Sequence, residues 1–429
     1  MPHRPSRRQF LKTSLAASTA FAAPLVLPRR VWGANDRIAL GYVGCKNRGG
    51  QNMNGFHKAG GVDHVAACDV DAHVLDDFAG KLTRRGVKAI DRASDHRELL
   101  DRDDIDAIVV STPDHWHAVP TIDACRAGKD VYCEKPLTLF PAEGERMVAV
   151  ARETGRIVQT GSQQRSGNEW HRAMEEVHAG TLGAIETIQV NLPKPNHPGP
   201  LDAATQPPEH LDFDRWLGPA PEVAYHEKRV HYNFRFWWDY SGGQMTNFGA
   251  HHLDCARWAI SCDDKMPTRI SGTATFEPDI HEVTATCRLE QFYPDTPANP
   301  DGVTIVIGQQ QPDITGAVTI VGEKGTIRVN RGSLSVEPKD LFDASFEKHD
   351  AHVAHCAAFV KAVRERSTPP AEIAIGNASA NACHLANCAA RLGREIVIEG
   401  GQLIDGRVPG DDEANAILDR AYRGDWSLA

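Results

Sequence analysis

The chain has little of what several large classes of protein require. It carries ten cysteines in 429 residues but no Cys-x-x-Cys pair, a spacing that argues against a disulfide framework. It has no long run of lysine or arginine, and its formal charge is -10. Nucleic acid is therefore not expected as a partner, and a neutral small molecule suits the balance better. The most apolar N-terminal stretch, from Thr13 to Leu27, is interrupted by Ser18, Thr19 and Pro24, so it makes a poor membrane span. No internal repeat is present, nor any low-complexity tract beyond this stretch, which excludes repeat architectures. What is left is ordinary globular composition, 41% hydrophobic and 24% charged, in a chain long enough for two domains with a core each.

Ser6-Arg7-Arg8-Gln9-Phe10-Leu11-Lys12 stands before that weakly hydrophobic, alanine-rich stretch. Two adjacent arginines in this position have the layout of a twin-arginine export signal; the plain alternative is a basic N-terminal helix. On the export reading residues 1–34 are the signal, with Ala22, Ala23 and Ala34 as candidate cleavage positions. The mature chain would then be periplasmic or otherwise exported, with no stable membrane span. That route carries folded proteins, which suits a chain that loads a cofactor first. An oxidising destination favours disulfides, but Cys45, Cys68, Cys125 and Cys133 sit in apolar or tightly turned contexts and read as buried free thiols.

From residue 35 to 158 short apolar runs alternate with amphipathic stretches. Residues 37–43, 62–68, 106–111 and 130–133 read as strands, and 118–127 and 142–154 as helices. The alternation predicts an α/β unit on a doubly wound parallel sheet, a Rossmann domain. From 159 to 429 the texture changes. A strand at 185–191 leads into a proline-rich loop, an aromatic-rich segment, a helix from His251 and β-rich runs at 269–277, 281–293, 304–307 and 317–329. Helices at 352–365 and 377–392 follow. This predicts an α+β substrate domain on a largely antiparallel sheet with a helical C-terminal tail, whose open sheet can support a homo-oligomer.

Between the first strand and first helix lies Gly41-Tyr42-Val43-Gly44-Cys45-Lys46-Asn47-Arg48-Gly49. Gly44 and Gly49 fit the first and third glycines of a dinucleotide turn, which permit a tight bend and close helix packing. Lys46 replaces the middle glycine: its side chain would crowd a pyrophosphate, while its charge could help hold one. Asp69 ends the second strand, where a carboxylate accepts hydrogen bonds from ribose hydroxyls and repels a 2′-phosphate. NAD is thus expected over NADP; the alternative for Asp69 is a helix cap.

Two further strand ends carry Ser111-Thr112-Pro113-Asp114-His115-Trp116-His117 and Glu134-Lys135-Pro136. Ligands sit beyond the carboxyl ends of such strands, and a lysine fixed there can donate a hydrogen bond to a substrate oxygen and stabilise alkoxide charge. With the glycine turn and the later Ser241-Gly242-Gly243-Gln244-Met245-Thr246-Asn247-Phe248-Gly249-Ala250-His251, these segments resemble the Gfo/Idh/MocA oxidoreductases over essentially the whole chain after the signal. The tail from Gly401 to Leu428 is similar to an exported branch of that family.

The resemblance implies an NAD-dependent oxidoreductase acting on CH–OH groups of a sugar, glycoside or polyol. It makes Lys135 the active-site lysine, His251 the proton-transferring group, and Asn247 a replacement for the aspartate that many members pair with that histidine. Asn247 cannot ionise, so it can orient hydroxyls but cannot raise the basicity of His251. Helical spacing puts 247, 251 and 254 on one face. Arg48, Thr112, Pro113, His117 and Glu134 are implied along the cofactor, with Gly44, Lys46, Gly49 and Asp69. Arg165, Trp237 and Asp254 are implied on the substrate side, Trp237 as an aromatic face for a sugar ring.

Bland readings stand beside these. Residues 234–240 could be a hydrophobic core strand, and His115 and His117 core histidines. No metal site is expected from the histidine spacing. A glycoside-cleaving enzyme that oxidises a sugar carbon transiently on bound NAD, then eliminates the aglycone, is a second reading; the intact Glu-Lys-Pro argues against it. A sugar-binding homologue without catalysis is a third, supported only by Lys46 and Asn247.

Overall fold

The computed structural model describes residues 37–428; the export signal read at 1–34 lies outside the described residues. The first sheet contains β1 (Ile38–Val43), β2 (Val62–Cys68), β3 (Asp91–Ala93), β4 (Ala107–Val110), β5 (Asp130–Cys133) and β6 (Val158–Thr160). They lie in the order β3-β2-β1-β4-β5-β6, all parallel. Every residue of β4, β5 and β6 is buried. Helices cover both faces of a parallel sheet, so its strands read as continuous apolar runs rather than alternating ones.

The second sheet holds β7 (Ile185–Leu192), β8 (Arg269–Phe276), β9 (Thr284–Tyr293), β10 (Val303–Gln309), β11 (Val318–Gly322), β12 (Gly325–Asn330), β13 (Ser333–Glu337) and β14 (Ile396–Val397). Their order is β13-β12-β11-β7-β10-β9-β8-β14, antiparallel except for β10 beside β7. The expected α/β architecture, a Rossmann sheet followed by a mostly antiparallel one, is the architecture observed. Within it, the single run read at 317–329 is a hairpin, folded at Glu323-Lys324. The strand expected from His281 starts only at Thr284.

The boundary placed between 158 and 159 falls inside β6. The C-terminal helices also join the two halves. The helix Ile373–Leu392 puts Ile373 and Ala380 into the core under the first sheet, and Cys383, Ala386 and Ala390 into the core under the second. The helix Ala351–Glu365 lies on the helix Arg48–Ala59, with Phe359 edge-on to Phe56 at 5.8 Å. All ten cysteines are buried and free. Among the described residues no helix is long and apolar enough to cross a membrane.

Candidate active site

The carboxyl ends of β1 to β5 open into one cavity of about 670 Å3, a size typical of small-molecule sites. Gly44 follows β1 with φ +84°, and a Cβ there would lie 2.7 Å from the backbone of Ser111 and Thr112. Gly49 has the opposite problem: a Cβ would sit 2.1 Å from Gly44 O. The turn therefore requires both glycines, one for its bend and one for the approach of the helix behind it. Lys46 is exposed at the cavity wall, where its charge favours the ionised Asp69 carboxylate.

Asp69, at the end of β2, is tied to this turn. Its Oδ2 accepts from Cys45 N at 2.7 Å and its Oδ1 from Asp71 N at 3.0 Å. Burial outweighs these bonds and pushes its carboxyl up to about 6, so it is mostly ionised at neutral pH.

Glu134 and Lys135 follow β5. The Glu134 Oε1 accepts from Arg48 Nε at 2.9 Å, Asn52 Nδ2 at 3.0 Å and Gln163 Nε2 at 3.1 Å. Burial alone would raise this carboxyl, but Arg48 wins and holds it at about 2. Arg48, expected along the cofactor, thus spends its Nε on Glu134, while its Nη2 is buried without a protein partner. Burial brings Lys135 down to about 8, against the pull of Glu134 and Asp114. Its Nζ donates to Asn247 O at 2.9 Å and Oδ1 at 2.8 Å. Gln244 Oε1, 3.0 Å from Asn247 Nδ2, fixes which way that amide points.

His251 lines the same cavity. Burial, then the cations of Lys135 and Arg331, push it well below its ordinary value. It is a neutral imidazole across the physiological range, not a group titrating near neutrality. The backbone stays helical through Phe248, between the helices Gln244–Asn247 and Gly249–Ala259, and Asn247 and His251 both line the cavity; Asp254 does not, because it pairs with Arg165.

Thr112 and Pro113 line the cavity. The ring of His117 spans two strand ends, with Nδ1 2.6 Å from Pro136 O and Nε2 3.0 Å from Thr112 O. His115 faces the core instead, its Nε2 3.0 Å from Trp216 O.

The three residues expected on the substrate side are elsewhere. Arg165 donates to Asp254 Oδ2 at 2.8 Å and Asp263 Oδ1 at 2.6 Å, and Asp254 also accepts from Ser379 at 2.7 Å. This buried ion pair is saturated and does not line the cavity, because two charges removed from water need each other. Trp237 is packed among Trp216, Phe236 and Tyr240, with its Nε1 donating to Lys228 O at 2.7 Å. The core reading holds for Phe236, Trp237 and Tyr240, at and beyond the end of a short 3-10 helix, His231–Phe236, rather than in a strand, whereas Phe234 and Arg235 of the same run line the cavity.

In their place stand other residues, of which Phe234, Arg235 and Asp114 lie in runs that the sequence marks as functional, while Tyr232 and Arg331 do not. Tyr232, Phe234 and Arg235 reach the cavity from the 3-10 helix, and Arg331 from the β12–β13 turn. Asp114 lines it too, and accepts from Ser241 Oγ at 2.5 Å. Arg235 lay inside the aromatic run already singled out. Arg331 carried no local signal.

His197, Glu277 and His281 bring possible metal-ligating atoms within 4.8 Å of one another, away from the cavity lining. Gly199 N already donates to His197 Nδ1 at 3.2 Å, and the two imidazole rings pack 4.9 Å apart.

Thr112 Oγ1, Arg48 Nη2 and His251 Nδ1 are buried in cavity-lining residues without protein partners. Unpaired buried polar groups in a native fold call for a partner such as water, an ion or a ligand, and these three face one cavity. With the two required glycines and the Asp69 carboxylate, they fit a bound dinucleotide.

Comparison with known proteins agrees. Residues 38–162 match the family model described as the oxidoreductase family's NAD-binding Rossmann fold, and residues 199–428 the one for its C-terminal alpha/beta domain. A "Glycosyl hydrolase family 109 protein" of Shewanella pealeana is 29% identical over 206 residues, 42% of this chain and 44% of that protein. An "Alpha-N-acetylgalactosaminidase" of Shewanella oneidensis is 30% identical over 152 residues, 34% of this chain and 33% of that one. The chain thus spans less than half the length of these relatives.

In fold, it resembles the aldose-aldose oxidoreductase of Caulobacter crescentus, with TM-score 0.65, 18% identity, and 84% of this chain and 100% of that one covered. It also resembles the WlbA dehydrogenase of Bordetella pertussis, solved with NADH and UDP-GlcNAcA, with TM-score 0.62, 21% identity, and 84% and 99% covered. The chain belongs to the Gfo/Idh/MocA oxidoreductase family, with that family's NAD-binding Rossmann domain followed by its C-terminal α/β domain.

Proposed function

We propose that this protein transfers hydride between NAD and a hydroxyl-bearing carbon of a sugar, glycoside or polyol. The observation that carries the reading is Lys135, an amine brought to about 8 in the wall of the cavity that the Gly44 turn and Asp69 also line. Asn247 takes two of its hydrogens. The ammonium form therefore has one hydrogen left for a substrate oxygen, and the neutral amine has a lone pair. In the oxidising direction the hydroxyl proton passes to that lone pair. The carbon-bound hydrogen leaves with its electron pair, for which NAD, when bound, supplies the acceptor. A group titrating near 8 is matched to taking and returning a proton close to neutrality. His251, neutral throughout, offers a ring nitrogen to a neighbouring hydroxyl, and Tyr232, Arg235 and Arg331 offer further donors. Asp69 favours NAD over NADP by repelling a 2′-phosphate.

A second reading is favoured by the presence of two candidate bases, Lys135 and His251, in one cavity, and by the names of the Shewanella relatives. In it the first base takes the hydroxyl proton, and the second takes the proton on the carbon beside the newly formed carbonyl. The aglycone leaves, water adds, and the hydride returns, so no net oxidation occurs. Nucleotide released from purified protein, identified by mass spectrometry, and a screen of free sugars and chromogenic glycosides separate the readings. NADH accumulating with a free sugar supports the first, and aglycone release without NADH the second. Bound sugar with neither activity would overturn both and leave a binding protein.

We further propose export by the twin-arginine route, on the Arg7-Arg8 layout. Replacing both arginines with lysine should hold the protein in the cytoplasm, and normal export of that variant would refute it.

A further inference from the structure

The C-terminal tail beyond the helix Asp412–Leu418 has no regular structure, yet it is fastened at several points. Tyr422 OH donates to the buried Glu143 at 2.5 Å. Arg423 donates to Asp214 Oδ1 at 2.6 Å and Gly218 O at 3.0 Å. Arg146 Nε donates to Leu428 O at 3.2 Å, and Leu428 packs against the Rossmann core. Between these ties Trp426 reaches the cavity. Its ring is nearly perpendicular to that of Trp116, with centroids 4.8 Å apart, and the Arg97 guanidinium lies over it 5.6 Å from its centre.

The sheet order says which part of the cavity this is. Ser94 to Arg97 follow β3, the edge strand next to β2 and Asp69, whereas Lys135 follows β5 on the other side of β1. A dinucleotide whose ribose meets Asp69 and whose nicotinamide meets Lys135 has its adenine on the β3 side. We propose that the segment Tyr422–Leu428 is a clasp over the dinucleotide site, with Trp426 a cofactor-contacting residue, so that NAD stays on the protein between turnovers. The inference rests on the NAD reading above, and adds a second wall to the site from the far end of the chain. An aromatic face gives a flat base its contact area, and a tail tied down on both sides of that face must lift before the nucleotide can leave.

The test loads the full chain with NAD+, removes free nucleotide by gel filtration, and follows the fraction still bound over time. The same is done for Trp426→Ala, Trp426→Phe and a chain ending at Ala421. Loss of the indole should speed dissociation about tenfold, the scale of one aromatic contact. Trp426→Phe should recover most of the retention, and the truncated chain should release fastest. Energy transfer from tryptophan to bound NADH should fall in Trp426→Phe. If the wild-type chain loses its NAD on the column yet binds it in equilibrium titration, the clasp is refuted; if it binds none in titration either, the underlying reading fails. If it holds NAD, and Trp426→Ala releases it at the wild-type rate with an unchanged melting temperature, the clasp is refuted.

Discussion

Replacing Asn247 with aspartate should move the pH dependence of the enzyme toward alkali. Asn247 Oδ1 is 2.8 Å from Lys135 Nζ, and Gln244 holds the amide in that orientation. A carboxylate at this distance favours the ammonium form, and an opposite charge so close moves a pKa by about one to three pH units. The Lys135 midpoint, now about 8 because of burial, would rise correspondingly. The neutral amine accepts the hydroxyl proton, so oxidation by wild type should climb through pH 8 and level off. In Asn247→Asp the climb should begin about one to three pH units higher. At pH 7 the rate should fall about tenfold for each pH unit of that rise. Reduction, which needs the ammonium, should instead persist to higher pH. Competitive acetylation of the amine, read by peptide mass spectrometry, gives the same midpoint without a substrate. An unmoved midpoint, or one displaced toward acid, would refute the role assigned to Lys135 and Asn247.

Three further outcomes are expected. Asp69→Ala should weaken NAD binding about tenfold or more while changing NADP little, and wild-type affinity should fall as pH drops through about 6, where the Asp69 carboxylate is protonated; isothermal titration measures both. Asp254→Ala leaves the buried Arg165 cation with Asp263 alone; it should cost about 3–5 kcal/mol in urea unfolding without changing NAD dissociation. Gly44→Ala forces a side chain against Ser111 and Thr112 at a left-handed φ; it should lower stability by about 1–3 kcal/mol and abolish NAD retention.

The parallel sheet was legible because β1, β2, β4 and β5 are apolar runs separated by helix-length amphipathic stretches. The cofactor turn was legible because glycine is required at 44 and 49 by local geometry. Lys135 and His251 could be placed because the segments around them resemble a known family, and the structure puts both on one cavity. The substrate side was not legible. Arg165 and Asp254 look like sugar-binding groups in sequence, but their charges neutralise each other in the core, a pairing across 89 residues. The run 234–240 could be platform or core, and composition does not say that Phe234 and Arg235 meet the cavity while Phe236 and Trp237 are buried. Arg331 and Trp426 come from a hairpin turn and a structureless tail, whose positions depend on tertiary contacts alone. The proton role proposed here for Lys135 rather than His251 was not legible either, because the burial that lowers both groups has no signature in the residues beside them.

The central claim is that hydride passes between substrate carbon and nicotinamide beside Lys135. Purified protein loaded with NAD+ is given a turned-over sugar deuterated at its ring carbons, and the nucleotide is released and weighed. Wild type should yield singly deuterated NADH, and Lys135→Ala should keep its NAD+ while forming that product about 100 to 10,000 times more slowly. Deuterated NADH appearing in Lys135→Ala at the wild-type rate would contradict the account, as would substrate turnover with the nucleotide left unlabelled throughout.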